Sequence, residues 1–218
     1  TIKGSENPLP INYLENKGSA QVKSSIILAA LKTEGKTFIK CKPSRDHTEI
    51  LCKYLKLPLK VKKKNNYDLI EVEKVNKIKP LNYKIPSDIS SASFFIVLTA
   101  LSNNSKLLIK NVNINPSRIG IITILKKMGV NIQFKNKKNY KGELVADISI
   151  TSTKKLKAIN CPPKLNSGAI DEFLIIFLVA AKASGISYFK DIGELNQKES
   201  PRLKWGAKIL NKMGIKTI

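Results

Sequence analysis

The sequence predicts an α/β fold with helices on the inside and sheets enclosing them. Three observations carry that prediction. Residues 26–31, 94–101 and 173–183 are helical stretches that are apolar nearly all round, the mark of a helix buried on every side. Each is followed by a strand, an amphipathic helix and further strands, and this order recurs every seventy to eighty-odd residues. The chain's three arginines, Arg45, Arg118 and Arg202, all fall at one equivalent place, the start of the second helix of each unit. Apolar helices inside repeated α/β units must be covered by sheets.

Residues 2–14 are polar, with Pro8 and Pro10, and read as extended chain or loop. Gly18 to Ser25 lead into the first apolar helix, and Gly35 turns the chain into a strand at residues 36–40. Asp46 with Glu49 three residues on has the spacing of a capping box and opens the second helix. Residues 60–64 form a basic strand or sheet edge. The second unit repeats this plan. Ser90 to Ser93 lead into the helix at 94–101, a strand comes next at 106–110, and Asn115-Pro116-Ser117-Arg118 opens a helix ending near Gly129. In the third, Ile170-Asp171-Glu172 lead into the helix at 173–183 and a strand covers 186–190. Ser200 then caps a helix with Pro201 at its first position, ending near Gly214. Leu203, Ala207, Leu210 and Met213 are its apolar stripe.

Composition narrows the function classes. The net charge of +23 favours anionic partners. Yet 36 of the 39 cationic residues are Lys, spread through loops such as 135–139, which is the pattern of a compositional bias rather than of a dedicated patch. There is one Trp and no run of Arg interleaved with aromatics, so nucleic acid is not the expected partner. Cys41, Cys52 and Cys161 are isolated and odd in number, and His47 is the sole histidine. That argues for a reducing compartment and against both a disulfide framework and a zinc site. The longest apolar run, 173–181, is far short of the ~20 residues of a membrane helix, so no membrane partner is expected.

One cluster invites chemistry. Lys198, Glu199 and Arg202 surround a helix start, where free N–H groups and partial positive charge suit a phosphate or carboxylate. An ordinary solvated helix start explains the same residues. Arg202 and Arg45, with ionisable neighbours, read as ligand contacts, because Arg offers a bidentate fork. Arg118 reads as a structural bridge.

Five motifs stand in a recognisable order: Gly18-Ser19-Ala20-Gln21-Val22-Lys23-Ser24, Arg45-Asp46-His47-Thr48-Glu49, Asp88-Ile89-Ser90-Ser91-Ala92, Ile170-Asp171-Glu172 and Lys198-Glu199-Ser200-Pro201-Arg202. On these residues the chain resembles the 3-phosphoshikimate 1-carboxyvinyltransferase (EPSP synthase) family, in its bacterial form. The resemblance implies two similar domains of βαβαββ units with buried helices enclosed by sheets, an inside-out α/β barrel. Residues 1–84 would be the later part of the N-terminal domain and 85–218 the first part of the C-terminal domain. It implies transfer of the carboxyvinyl group of phosphoenolpyruvate to the 5-hydroxyl of shikimate 3-phosphate, by a cytoplasmic enzyme that is a monomer at full length and uses no cofactor or metal.

The resemblance also implies residue roles. Asp171 would be the base and Glu199 the proton donor. Ser19, Ala20, Gln21, Arg45, Asp171 and Lys198 would bind shikimate 3-phosphate, and Gln21 and Arg202 phosphoenolpyruvate. Plainer readings stand beside these: Ser19 as a helix cap alone, Asp171 and Glu172 as complements of a helix dipole, Lys23 as part of a helix start, Asp88 as a domain-junction turn. The chain departs from the family at Ser87, Asn196 and Pro201, where Gly, Arg and Asp are usual. The family's N-terminal Lys-Ser segment, its glycine loop and its late Arg and Lys are not among these residues, so the chain is expected to be about the middle half of the enzyme and inactive by itself. The related transferase acting on UDP-N-acetylglucosamine is the nearest alternative, and the Arg45 to Glu49 motif with Lys198-Glu199 favours the shikimate enzyme.

Overall fold

A computed structural model describes residue 1 and residues 3–218; of the stretch expected to be extended at 2–14, Ile2 lies outside the described residues. The chain divides into two compact units. One comprises residues 1–84 with 140–143, the other 85–139 with 144–218.

The first unit is a complete βαβαββ. It runs β1 (Asn12–Glu15), α1 (Ala20–Ala30), β2 (Lys36–Cys41), α2 (His47–Tyr54), β3 (Leu59–Lys63) and β4 (Asp68–Glu73). The strands form one sheet in the order β1-β2-β4-β3, with β1 parallel to β2 and both other pairs antiparallel. The stretch read as extended chain or loop thus ends in strand β1. Strict alternation along β2 puts Thr37, Ile39 and Cys41 inside and Lys36, Phe38 and Lys40 outside. Ile39 lies opposite Ile70, and with Ile27, Ala30, Leu31, Cys52 and Val72 they make the unit's core. The basic β3 is the sheet edge, where a row of lysines discourages further pairing.

The second unit repeats the plan with α3 (Ile89–Leu101), β5 (Lys106–Asn113), α4 (Gly120–Lys127), β6 (Asn131–Tyr140) and β7 (Glu143–Thr151), so residues 135–139, expected as a loop, lie within a strand. Its first strand is reduced to one parallel bridge between Ser87 and Val112. Lys141 and Gly142, both with positive φ, make the two-residue turn between β6 and β7. A third repeat comes next, with β8 (Asn160–Cys161), α5 (Phe173–Lys182), β9 (Tyr188–Phe189) and α6 (Arg202–Lys212), β8 again parallel to β9. The three repeats therefore share one rule: the strand before the apolar helix pairs in parallel with the strand after it.

α3, α4 and α5 hold the second core, with Ile96, Ile121, Ile124, Leu125, Phe173 and Ile176 essentially inaccessible. The expectation of burial on every side is corrected here. Phe94, Phe95 and Leu98 of α3 are 64%, 59% and 63% exposed, and Leu28 of α1 is 60% exposed. α1 and α3 each present one face to their core, and their other apolar face has no covering layer among the described residues. α5 instead is buried at Phe173, Ile175, Ile176, Phe177 and Val179, with Leu174 lying against Gly206 of α6. On α6, Leu210 is buried and Leu203 and Ala207 half-buried, but Met213, just past the helix end at Lys212, is exposed.

Candidate active site

In the first unit, the expected ligand residues sit where α1 and α2 begin. Glu15, buried, accepts from the N–H groups of Lys17 (2.8 Å) and Gly18 (2.7 Å), which folds the chain just before Ser19. Ser19 is the N-cap of α1, and its Oγ accepts from Val22 N–H at 3.3 Å. Ala20 is the first helical residue and Gln21 points into solvent. Arg45 is half-buried on the loop before α2, and its carbonyl accepts from Lys23 Nζ at 2.9 Å.

Two expectations about this region are corrected. Asp46 is the N-cap of α2 by position, but no side chain caps the helix. The capping box does not form because both of its carboxylates have stronger, charged partners. Asp46 accepts from Lys63 Nζ at 2.8 Å, and that pairing raises the Lys63 ammonium above its usual range. Glu49 turns inward to Lys23 Nζ at 2.6 Å, an ion pair with Lys23 wholly inaccessible. Lys23 is therefore more than part of a helix start. The signal was present in the sequence: Lys23 shares the face of Ile27 and Ala30, so the core-facing stripe of α1 contains an amine that needs a partner. His47 Nδ1 lies 2.6 Å from Glu143 Oε1.

In the second unit, Arg202 gathers two carboxylates. One guanidinium nitrogen donates to Glu199 Oε2 at 2.6 Å and the other to Asp171 Oδ1 at 3.3 Å. Asp171 sits on the turn that leads into α5, and Arg202 is the first residue of α6. Glu199 is largely exposed; its own backbone N–H, then Arg202, hold its carboxyl below the usual range. Lys198 faces Glu194 at 2.9 Å. The helix start differs from expectation. Pro201, not Ser200, is the N-cap of α6, and it has no side-chain cap bond. Proline has no capping oxygen, so Asn196 Oδ1 reaches across from the 3-10 turn at Gly193–Gln197 and accepts from Lys204 N–H at 3.1 Å. Asn196, where the family usually has Arg, thus works as a remote cap.

A second network went unseen in the sequence. Glu172, buried at the N-cap position of α5, makes no cap bond; it accepts from the hydroxyl of Ser90. Ser90 Oγ also accepts from Arg118 at 2.7 Å, and Arg118 pairs with Asp88 at 2.7 Å. Asp88 in turn caps α3 through Ser91 N–H. Arg118 is the structural bridge its position suggested, and Asp88 is a helix cap.

Against this geometry, the sequence pattern of EPSP synthase (3-phosphoshikimate 1-carboxyvinyltransferase) matches residues 2–218. The chain belongs to the EPSP synthase family. The 3-phosphoshikimate 1-carboxyvinyltransferase of Caldicellulosiruptor saccharolyticus is 42% identical over 214 residues, covering 98% of this chain and 49% of that protein. That of Zymomonas mobilis subsp. mobilis is 39% identical over 216 residues, covering 99% and 48%. A solved EPSP synthase from Acinetobacter baumannii superposes with a TM-score of 0.83 at 38% identity, over 94% of this chain and 45% of that one. The enolpyruvyl transferase NikO of Streptomyces tendae, 13% identical with a TM-score of 0.62, shares the fold. The chain spans about half the length of the EPSP synthases it matches. No helix among the described residues is long and apolar enough to cross a membrane.

Proposed function

We propose that this chain supplies part of the active site of a 3-phosphoshikimate 1-carboxyvinyltransferase. Residues 1–84 belong to the later part of its N-terminal domain and 85–218 to the first part of its C-terminal domain. The observation that carries the reading is Arg202, which holds Asp171 and Glu199 in one cluster at a helix start. In the reaction, the 5-hydroxyl oxygen of shikimate 3-phosphate bonds to C2 of phosphoenolpyruvate. Asp171 takes the hydroxyl proton, and Glu199 gives a proton to the methylene carbon. The tetrahedral intermediate then loses a proton from the new methyl group as its C–O bond to phosphate breaks, which regenerates the vinyl group and releases phosphate.

The binding roles complete the site. Ser19, the Ala20 backbone, Gln21, Arg45, Asp171 and Lys198 hold shikimate 3-phosphate; Gln21 and Arg202 hold phosphoenolpyruvate. Glu199 rests ionised, whereas a proton donor must carry its proton. A substrate carboxylate arriving at Arg202 would take over the guanidinium that now pairs with Glu199, and would remove one cause of its lowered pKa. The partners are these two small molecules, without nucleic acid, membrane or cofactor, in a cytoplasmic monomer.

A coupled phosphate-release assay with both substrates tests the reading, on the 218-residue chain and on the full-length gene product. Turnover is expected only where the remaining cations of the site are present. Asp171→Asn and Glu199→Gln should each lower kcat at least a hundredfold. Near-normal rates in both variants would refute the assigned roles.

A further inference from the structure

We propose that Lys23 and Glu49 are positioning residues: a buried clamp that sets the distance between the two parts of the shikimate 3-phosphate site in the first unit. The inference rests on the binding roles just given to Ser19, Ala20, Gln21 and Arg45.

Lys23 is bonded to both parts. Its backbone N–H donates to the carbonyl of Ser19 at 3.1 Å, inside the first turn of α1. Its ammonium donates to the carbonyl of Arg45 at 2.9 Å, on the loop that opens α2. One residue thus spans from the capping serine to the arginine loop. Glu49, one turn into α2, takes the same ammonium at 2.6 Å and fixes its direction. Their chain neighbours add a second tie, with Ser24 Oγ and Thr48 Oγ1 2.7 Å apart.

The chemistry of the pair fits positioning better than stability. Hydrophobic residues of similar volume usually serve a core as well as a buried ion pair does, because desolvation of both charges offsets their attraction. This pair is also incompletely satisfied. Glu49 Oε2 is buried and finds no hydrogen-bond partner among the described residues. What a hydrophobic pair could not reproduce is the bond to the Arg45 carbonyl. That bond is directional, and it sets where the Arg45 backbone stands relative to Ser19. Neither Lys23 nor Glu49 reaches the surface, so neither is placed to touch substrate.

The test uses the full-length gene product and isothermal titration of shikimate 3-phosphate. Lys23→Met alone strands the Glu49 carboxylate and risks unfolding. The main variant is therefore Lys23→Met with Glu49→Met, which removes both charges and keeps the volume. The expected result is a dissociation constant raised at least tenfold, with the KM for phosphoenolpyruvate changed less than twofold and the thermal midpoint of the free protein kept. In an Arg45→Ala background the same double replacement should add less than twofold, because the clamp acts through the Arg45 loop. If Arg45→Ala weakens binding but the double replacement does not, the clamp is refuted while the site reading stands. If neither wild-type binding nor an Arg45→Ala effect is seen, the site reading falls and the clamp falls with it. Full additivity of the two changes would also overturn the clamp.

Discussion

Replacing Gly120 by Ala sets two effects of opposite sign against each other. Gly120 opens α4 with an ordinary helical backbone, so helix propensity alone predicts a gain from alanine, at most the ~1 kcal/mol of a helix interior. The fold predicts the reverse. A Cβ at residue 120 would stand 2.6 Å from the carbonyl carbon of Gly168, 2.8 Å from its oxygen and 2.8 Å from the nitrogen of Ala169. All three are backbone atoms, and carbon atoms prefer separations of about 3.5–4.0 Å. The segment at 168–169 would have to retreat by about 1 Å. Retreat strains the hydrogen bond from Gly120 N–H to Gly168 O, now 3.0 Å. A lost hydrogen bond, about 1 kcal/mol, cancels the propensity gain. The overpacking cost of about 1–3 kcal/mol remains as the net loss. With a urea m-value of about 2 kcal/mol/M, a 2 kcal/mol loss lowers the midpoint by about 1 M. Urea titrations monitored by far-UV circular dichroism measure it. Gly193→Ala is the control, because nothing lies within 4 Å of its added carbon, and it should stay within about 0.5 kcal/mol of the parent. A Gly120→Ala variant as stable as the parent, or more so, would refute the close-approach argument. The same substitution should lower kcat in the full-length product, because the displaced segment ends two residues before Asp171.

The thiols and the half-exposed Asp88 carboxylate give two further expected outcomes. Burial lifts the Cys41 thiol to about 11 and raises Cys52 and Cys161 as well. Ellman's reagent at pH 8 should therefore find no fast thiol in the native protein and three after unfolding, and rapid native labelling would contradict the buried placement. At Asp88, partial desolvation opposes ionisation, but the Ser91 N–H, Arg118 and the neighbouring serines together outweigh it and hold the carboxyl below its usual range. A depressed folded pKa stabilises above the unfolded value of about 3.9 and loses that contribution as pH falls through the folded value. Asp88→Asn should lower stability at pH 7 and flatten the acid limb below about pH 4 in thermal melts. Equal pH slopes for parent and variant would contradict the assignment.

The architecture was legible because its signals are local. The all-apolar stretches at 94–101 and 173–183, the cap at Ser19 and the turn residues state where helices begin and where strands succeed them. The threefold order then gave the succession of helix, strand, helix and further strands, and the family resemblance gave the βαβαββ plan and the candidate residues. The misses share one cause. Asp46 and Glu49 have the spacing of a capping box, yet each is taken by a lysine distant in sequence. Ser200 and Pro201 read as a helix start, yet the cap comes from Asn196. Phe94, Phe95 and Leu98 read as fully buried, yet apolarity states only that a face tolerates burial, and whether anything covers it depends on the layers around it.

The sequence by itself determined the order of elements, the faces that seek a core and the residues able to carry acid, base and cation chemistry. Periodicity and turn chemistry act over a few residues, so a linear reading reaches them. Only the tertiary structure decided which charge meets which. Arg202 meets Asp171 across 31 residues, Lys23 meets the Arg45 carbonyl across 22, and Ser90 meets Glu172 across 82. Hydrogen bonds and ion pairs depend on separations of a few ångströms in space, and spacing along the chain does not encode them.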